Sequence, residues 1–321
     1  MRFVTTVCLS AALTCALGNA VAQQYPFKAI RFVVPYVPGG GTDTVARLTG
    51  QKLSEALGQA VVIDNRPGAG GSIGAGQVAH AAHDGYTLLV HSSGHTVNPS
   101  IFANLGYDTQ KDLVGVSMLA ELPNVLVVPP SKGWKTDGDL VKVAKANPGK
   151  LSYGSAGTGS GTHMNAEKFR LRAGFDAVHV PYKGPPEGLT DIMGDRIDFM
   201  FAPIISAISL IKDGRVTTLA VGSAKRSSIL PDIQTTEEAG YPGSAYRFWV
   251  GMLAPAGTPP AAIERLNKEL NAALKSPDVA AQLKDNGIDA APSTPADFMR
   301  FVQSEEKKWV PIIKRSNIKV E

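Results

Sequence analysis

Twice in this chain an apolar strand pattern runs into a cluster of glycines and then into a helical pattern. The first instance is VVPYVPGGGTDTVARL at residues 33–48, the second SYGSAGTGSGTHMNAEKF at residues 152–169. No other feature limits the fold as tightly. Each glycine loses extra backbone freedom on folding, so a cluster implies a tight turn or a close approach to something else. A strand joined to a helix by a short loop belongs in α/β layers. Two such units more than a hundred residues apart predict one in each half of a two-part molecule.

The rest of the sequence follows the same alternation. AIRFVVPY (29–36), QAVVIDN (59–65) and YTLLVHSS (86–93) are predicted strands. Between the first two, Val45, Leu48, Leu53, Ala56 and Leu57 share one helical stripe over 42–57. A Pro-Pro break and the helix TDGDLVKVAKANPGK follow LPNVLVV. A second series then begins, with helices at 162–173, 186–194 and 204–212 and strands at 177–182, 197–202 and 216–223. The stretch AYRFWVGMLAPAGTP (245–259) is expected to return to the first half, and three helical stretches close the chain. The expected fold is α/β and two-lobed, each lobe a mostly parallel sheet flanked by helices. Lobe 1 would take residues 23–122 and 236–321, lobe 2 residues 123–235, with crossings near 122–128 and 224–250.

Residues 1–22 are expected to lie outside that fold. Arg2 gives a basic start, FVTTVCLSAALTCAL an apolar stretch, and Ala20-Val21-Ala22 a small-x-small cleavage site, the pattern of an export signal. Cleavage after Ala22 would leave 299 residues (321 minus 22). Cys8 and Cys15, the two cysteines, both fall in the leader, so the remaining chain has no disulfide, thiolate ligand or cysteine nucleophile. Its stability must come from core burial, for which it is long enough. Without Arg2 the 32 basic residues become 31 against 28 acidic, with no clustered basic face, so no nucleic-acid partner is expected.

A glycine loop opening a helix presents several unpaired backbone N–H groups at the positive end of the helix dipole, an anion site that needs no lysine. Nucleotide readings fail on spacing. Neither PGGGTDT nor AGTGSGTH fits G-x-x-x-x-G-K-[ST] or G-x-G-x-x-G, and neither loop carries a cation until Arg47 and Lys168. GGSIG (70–74) matches G-x-S-x-G with Ser72 as nucleophile, so a secreted α/β hydrolase is the alternative. That elbow needs a strand directly before it, and RPGAG intervenes. His80 with His83, and His91 with His95, lack the further ligands of a zinc site, so no metal is expected.

The ordered series FVVPYVPGGGTDTVAR, VIDNRPGAGGSIGA, DGYTLLV, LSYGSAGTGSGTHMNAE, VPYKG and APAGTP strongly resembles the Bug-type solute-binding proteins of tripartite tricarboxylate transporters. The resemblance covers essentially all of the chain after the leader. It implies a periplasmic Venus-flytrap protein, a monomer that is not an enzyme and needs no cofactor. Its ligand would be a small carboxylate: a di- or tricarboxylate, an acidic amino acid or an aromatic acid. Its partners would be the membrane components of the transporter, or a sensor kinase ectodomain. It places the ligand between two loops that map here to Pro38–Asp43 and Ser155–His163.

Site residues follow from both lines of reasoning. Gly40, Gly41 and Thr42 would offer amides and a hydroxyl to a carboxylate, or only form the turn. Asp43 suits the first helical turn better than ligand contact. On the other side stand Ser155, Ala156, Gly157, Gly159, Ser160 and Thr162, with Thr162 also a possible N-cap. His163 would sense ligand charge or simply pack. Ser92, Ser93 and His95 lie at a strand's C-terminal end, where open α/β sheets bind ligands. Tyr36, Tyr182 and Phe201, with Pro203 beside them, would form apolar walls or belong to the core.

Overall fold

A strand buried at every position needs cover on both faces, and the strands at residues 124–128, 199–203 and 249–255 are of that kind. The computed structural model describes residues 25–316 and Ile318; the expected leader lies outside them. In chain order the elements are β1 (Ile30–Val34), α1 (Gly41–Leu57), β2 (Val61–Asn65), α2 (Ser72–Ala79), β3 (Thr87–Ser92), α3 (Asn98–Ile101) and β4 (Leu113–Glu121). Then come β5 (Asn124–Val128), α4 (Asp137–Ala146), β6 (Ser152–Ser155), α5 (Gly161–Ala173), β7 (Val178–Pro181), α6 (Pro185–Met193), β8 (Phe199–Pro203), α7 (Ile204–Lys212) and β9 (Thr217–Val221). The chain ends with β10 (Trp249–Pro255), α8 (Pro260–Lys275), α9 (Pro277–Asp285), β11 (Asp289–Ala290) and α10 (Pro295–Ser316).

Two sheets result, ordered β11-β4-β10-β3-β1-β2 and β7-β6-β8-β5-β9. Alternate side chains of one strand feed two cores. Phe32, Leu88, Val250 and Met252 pack on one face of the first sheet, while Val33, Leu89, Trp249 and Leu253 pack on the other. Leu126, Tyr153, Phe199 and Phe201 are divided in the same way from Val125, Val127, Met200 and Ala202 across the second. Each such burial is worth about 1.5–3 kcal/mol, so four clusters supply what disulfides would otherwise add.

Each sheet is mixed, with most of its strands pointing one way. β1 runs parallel to β2 and β3, and β6 parallel to β7 and β8, as the strand–helix–strand units require. β10 is antiparallel to β3 and β4, and β5 is antiparallel to β8 and β9. β5 and β10 are each the first strand after a crossing between sheets, so each joins its new sheet from the opposite side; the two-residue β11 is also antiparallel to β4. β4 itself had no counterpart in the sequence reading.

The crossings lie side by side. Leu122 and Pro123 link β4 to β5, and Leu122 N–H donates to Phe248 O at 3.1 Å. Gly222 N–H donates to Asn124 O (2.8 Å) and Tyr246 N–H to Gly222 O (2.7 Å). The sequence reading set the return to the first lobe at residue 236. Tyr241 instead packs on Phe169 of α5 with centroids 5.2 Å apart, and Lys168 of α5 binds Ala245 O, so the return falls at Tyr246–Trp249.

Candidate functional site

β1 ends at Val34, and the chain reaches α1 through Gly39 and Gly40. Gly40 is the N-cap and brings no side chain to the role. The amides of Gly41, Thr42 and Asp43 therefore have no partner among the described residues. Asp43 is buried and turned away from them. Its carboxylate accepts from Gly39 N–H (3.0 Å), Arg47 Nε (2.9 Å) and Nη2 (3.0 Å), and Asn65 Nδ2 (2.9 Å). Burial alone would raise its pKa; the hydrogen bonds from Arg47, Gly39 and Asn65 outweigh that and hold it below the usual carboxylate range. Asp43 thus shapes the loop and engages the nearest cation.

The second loop is built without charge. Ser160 caps α5, its hydroxyl accepting from His163 N–H at 3.3 Å, and Thr162 Oγ1 accepts from Ala156 N–H at 2.8 Å. Ser155 Oγ accepts from Gly157 N–H (3.1 Å) and meets His179 Nε2 at 2.6 Å. His163 Nδ1 accepts from Gly159 N–H at 3.1 Å, and its ring stacks on His179 at 4.0 Å. Burial lowers both imidazoles, His179 to about 4, so both are neutral near pH 7. Among the described residues the amides of Gly161 and Thr162 stay unpartnered.

These helix starts face each other across one narrow cleft with about 270 Å³ of atom-free space, open water at its mouth included. Of the residues singled out from sequence, Tyr36, Gly40, Gly41, Thr42, Ser92, Ala156, Ser160, Thr162 and Pro203 line it. No lining residue carries a charge. Tyr36 Oη lies 3.1 Å from Ser92 Oγ, and burial pushes its pKa up to about 12, which keeps the hydroxyl protonated. The walls are close. A Cβ on Gly41 would lie 2.9 Å from Leu122 Cδ1 and 3.0 Å from Pro203 Cβ, so glycine is required there for contact between the two sides.

The remaining candidates lie outside this lining. Asp43, Ser155 and His163 hold the loops as described, and Gly157 and Gly159 supply left-handed backbone at φ 106° and 82°. Ser93 Oγ accepts from Tyr246 Oη at 2.8 Å. His95 is fully buried, 5.5 Å from the His91 ring, and among the described residues both its ring nitrogens are unpartnered. Phe201 is core, 5.6 Å from Phe169. Tyr182 lines an adjoining chamber and donates to Asp191 Oδ2 at 2.7 Å.

Sequence reasoning missed Gly161, Pro185 and Phe248. Gly161 sits inside a loop already marked, and the Gly-Pro-Pro run before α6 was a usable signal for Pro185. Phe248 reaches the cleft only through the returning crossing. Ser72 opens α2, separated from the end of β2 by residues 66–71, and among the described residues it forms no hydrogen bond to a histidine, so the elbow geometry is not met.

Residues 45–318 match the family model described as tripartite tricarboxylate transporter family receptor. The Bordetella pertussis protein BugT is 35% identical over 301 residues, spanning 93% of this chain and 92% of BugT. Among solved structures, Rpa4515 of R. palustris with adipate superposes with a TM-score of 0.89 at 34% identity, covering 92% of this chain and 99% of that one. MatC of Rhodopseudomonas palustris with bound malate gives 0.86 at 32% identity, covering 90% of this chain and 100% of MatC.

Proposed function

The chain belongs to the tripartite tricarboxylate transporter receptor family, a family of solute-binding proteins and not of enzymes, and from that premise we propose that it captures a small carboxylate between its two sheets. One observation carries the reading: two helix starts with unpartnered amides face a single cleft that no charged side chain lines. A helix start contributes on the order of 0.3–1 kcal/mol to anion binding when exposed and up to ~2 when partly buried. Two of them reach about 4 kcal/mol, half of the roughly 8 kcal/mol of a micromolar complex. Hydroxyls of Thr42, Ser160 and Thr162, ordered water and the apolar faces of Pro185, Pro203 and Phe248 would supply the remainder.

On this reading the ligand bridges the two lobes, residues 25–122 with 246–318 and residues 123–245, which close about the paired crossings. The closed form is presented to the membrane components of a transporter, or to a sensor ectodomain, by a monomer held in the periplasm. Titration calorimetry with a panel of di- and tricarboxylates, acidic amino acids and aromatic acids tests it. A micromolar ligand is expected, together with a smaller radius of gyration by X-ray scattering when it is saturating. No binding by any panel member, or turnover of one, would overturn the reading.

A further inference from the structure

The cleft adjoins a wider chamber, with Ala156 lining both. The chamber lies between the loop at residues 68–70, Phe102, the second glycine loop and residues 181–187, and contains about 940 Å³ of atom-free space, open water included. Its walls are largely apolar, with Phe102, Pro181 and the Tyr182 ring among them. Lys183 is the only cationic residue among those lining the two cavities.

The main chain of Lys183 is held at the meeting of the two lobes. Its carbonyl accepts from Val37 N–H at 3.5 Å, and its own N–H donates to Glu187 Oε2 at 2.9 Å. A Cβ on the next residue, Gly184, would lie 2.4 Å from Val37 Cγ2, so the backbone here runs against the β1–α1 connection. The side chain is exposed, and among the described residues its ammonium forms no ion pair. Glu187 shares the chamber, but one of its oxygens is already engaged by the Lys183 amide.

We propose that Lys183 reads the second carboxylate of a two-headed ligand, so that this protein favours dicarboxylates with an apolar spacer over monocarboxylates of equal length. The inference rests on the cleft reading above: the first carboxylate sits at the helix starts, the spacer passes Ala156 along the apolar walls, and the far carboxylate meets the ammonium. A cation without an acidic partner at the rim of a water-accessible chamber gives a modest, salt-sensitive gain.

The test is calorimetric, on the full chain with adipate against hexanoate and suberate against octanoate. In the native protein the dicarboxylate of at least one pair should bind more tightly. Lys183→Met should lower that preference by about threefold to tenfold, leave the monocarboxylate unchanged, and remove most of its dependence on sodium chloride. Lys183→Arg should keep the preference. An unchanged preference in Lys183→Met, with Gly41→Val abolishing binding of both ligands, would overturn the role of Lys183 alone. Unchanged binding in Gly41→Val would overturn the cleft reading and this inference with it.

Discussion

The two glycine loops reach one geometry by opposite means. At α1 an ionised network of Asp43, Arg47 and Asn65 fixes the turn, and the cap contributes no side chain, which leaves three amides unpartnered. At α5 hydroxyls and neutral imidazoles do the same work, and the Ser160 cap occupies the third amide, leaving two. The difference teaches that the presented feature, amides without cations, is independent of how the loop behind it is made rigid. One support is sensitive to loss of a charge and the other to gain of one.

Crowding the loops should have the largest effect and should expose an asymmetry. Gly41→Val puts a branched side chain against Leu122 and Pro203, so it blocks both ligand and lobe approach. Affinity should fall at least about a hundredfold, roughly 2.7 kcal/mol, with little change in melting temperature. Gly159 lies at φ 82° and outside the cleft lining, so Gly159→Val should lower melting temperature and affinity together. Calorimetry and thermal melts on both variants read this, and equal stability losses would remove the asymmetry.

Next in size is the charged support. Asp43→Asn removes the carboxylate from Arg47 and from Gly39 N–H, and should cost about 2 kcal/mol of stability, the scale of hydrogen bonds to charged groups. Urea unfolding near pH 7 measures it; a loss below about 0.5 kcal/mol would make the network ornamental.

Acid should separate the two supports by pH. His179 is lowered from 6.5 to about 4, chiefly by burial, with Glu167 opposing, and His163 is lowered by burial with help from His179 and Arg170. Unfolded imidazoles bind protons below about 6.5 and folded His179 does not until about 4, so the unfolded chain is favoured progressively as pH falls through that window; His163, lowered in the same direction, adds to the effect. Asp43, depressed below 3.8, contributes stability that is lost only at still lower pH. The second loop should therefore yield first. His91 and His95 are also buried and lowered, so the native slope includes them. His179→Gln isolates its share: stability between pH 6.5 and 4 should vary less than in the native chain, by on the order of 2 kcal/mol. Identical slopes would refute it.

The comparison also shows what a single sequence makes legible. Both loops and their helices could be read because strand, glycines and helix are contiguous, and hydrophobic period reports each element locally. Asp43 holds the first turn of α1, as its position suggested. Reading fails where a role depends on which way a side chain turns: Ser155 stands beside lining residues yet points into its loop, a choice made by His179 from elsewhere in the chain. It fails again for Phe248 and for the reversed strands β5 and β10, because both depend on how the crossings run between sheets. The family resemblance, carried by six ordered motifs, reached the solute-binding class that no single residue announces.

The smallest effect sharpens the contrast within the second loop. Ser160 and Thr162 both line the cleft, and their hydroxyls lie 3.1 Å apart. Ser160 Oγ is the cap of α5, accepting from His163 N–H, whereas Thr162 Oγ1 accepts from Ala156 N–H and ties the helix back to β6. Ser160→Ala should cost about 1 kcal/mol of stability as a lost cap. It should also weaken a carboxylate by about threefold to tenfold, since a hydroxyl already turned to the helix gives less than a full charged hydrogen bond. Thr162→Val keeps the shape but leaves the Ala156 amide without its acceptor, so it should cost stability at least equal to that of Ser160→Ala and reduce affinity less. Thermal melts and calorimetry on the two variants decide between ligand contact and loop support for each hydroxyl. A larger affinity loss in Thr162→Val than in Ser160→Ala would reverse the assignment, making Thr162 the hydroxyl that meets the ligand and Ser160 only the cap.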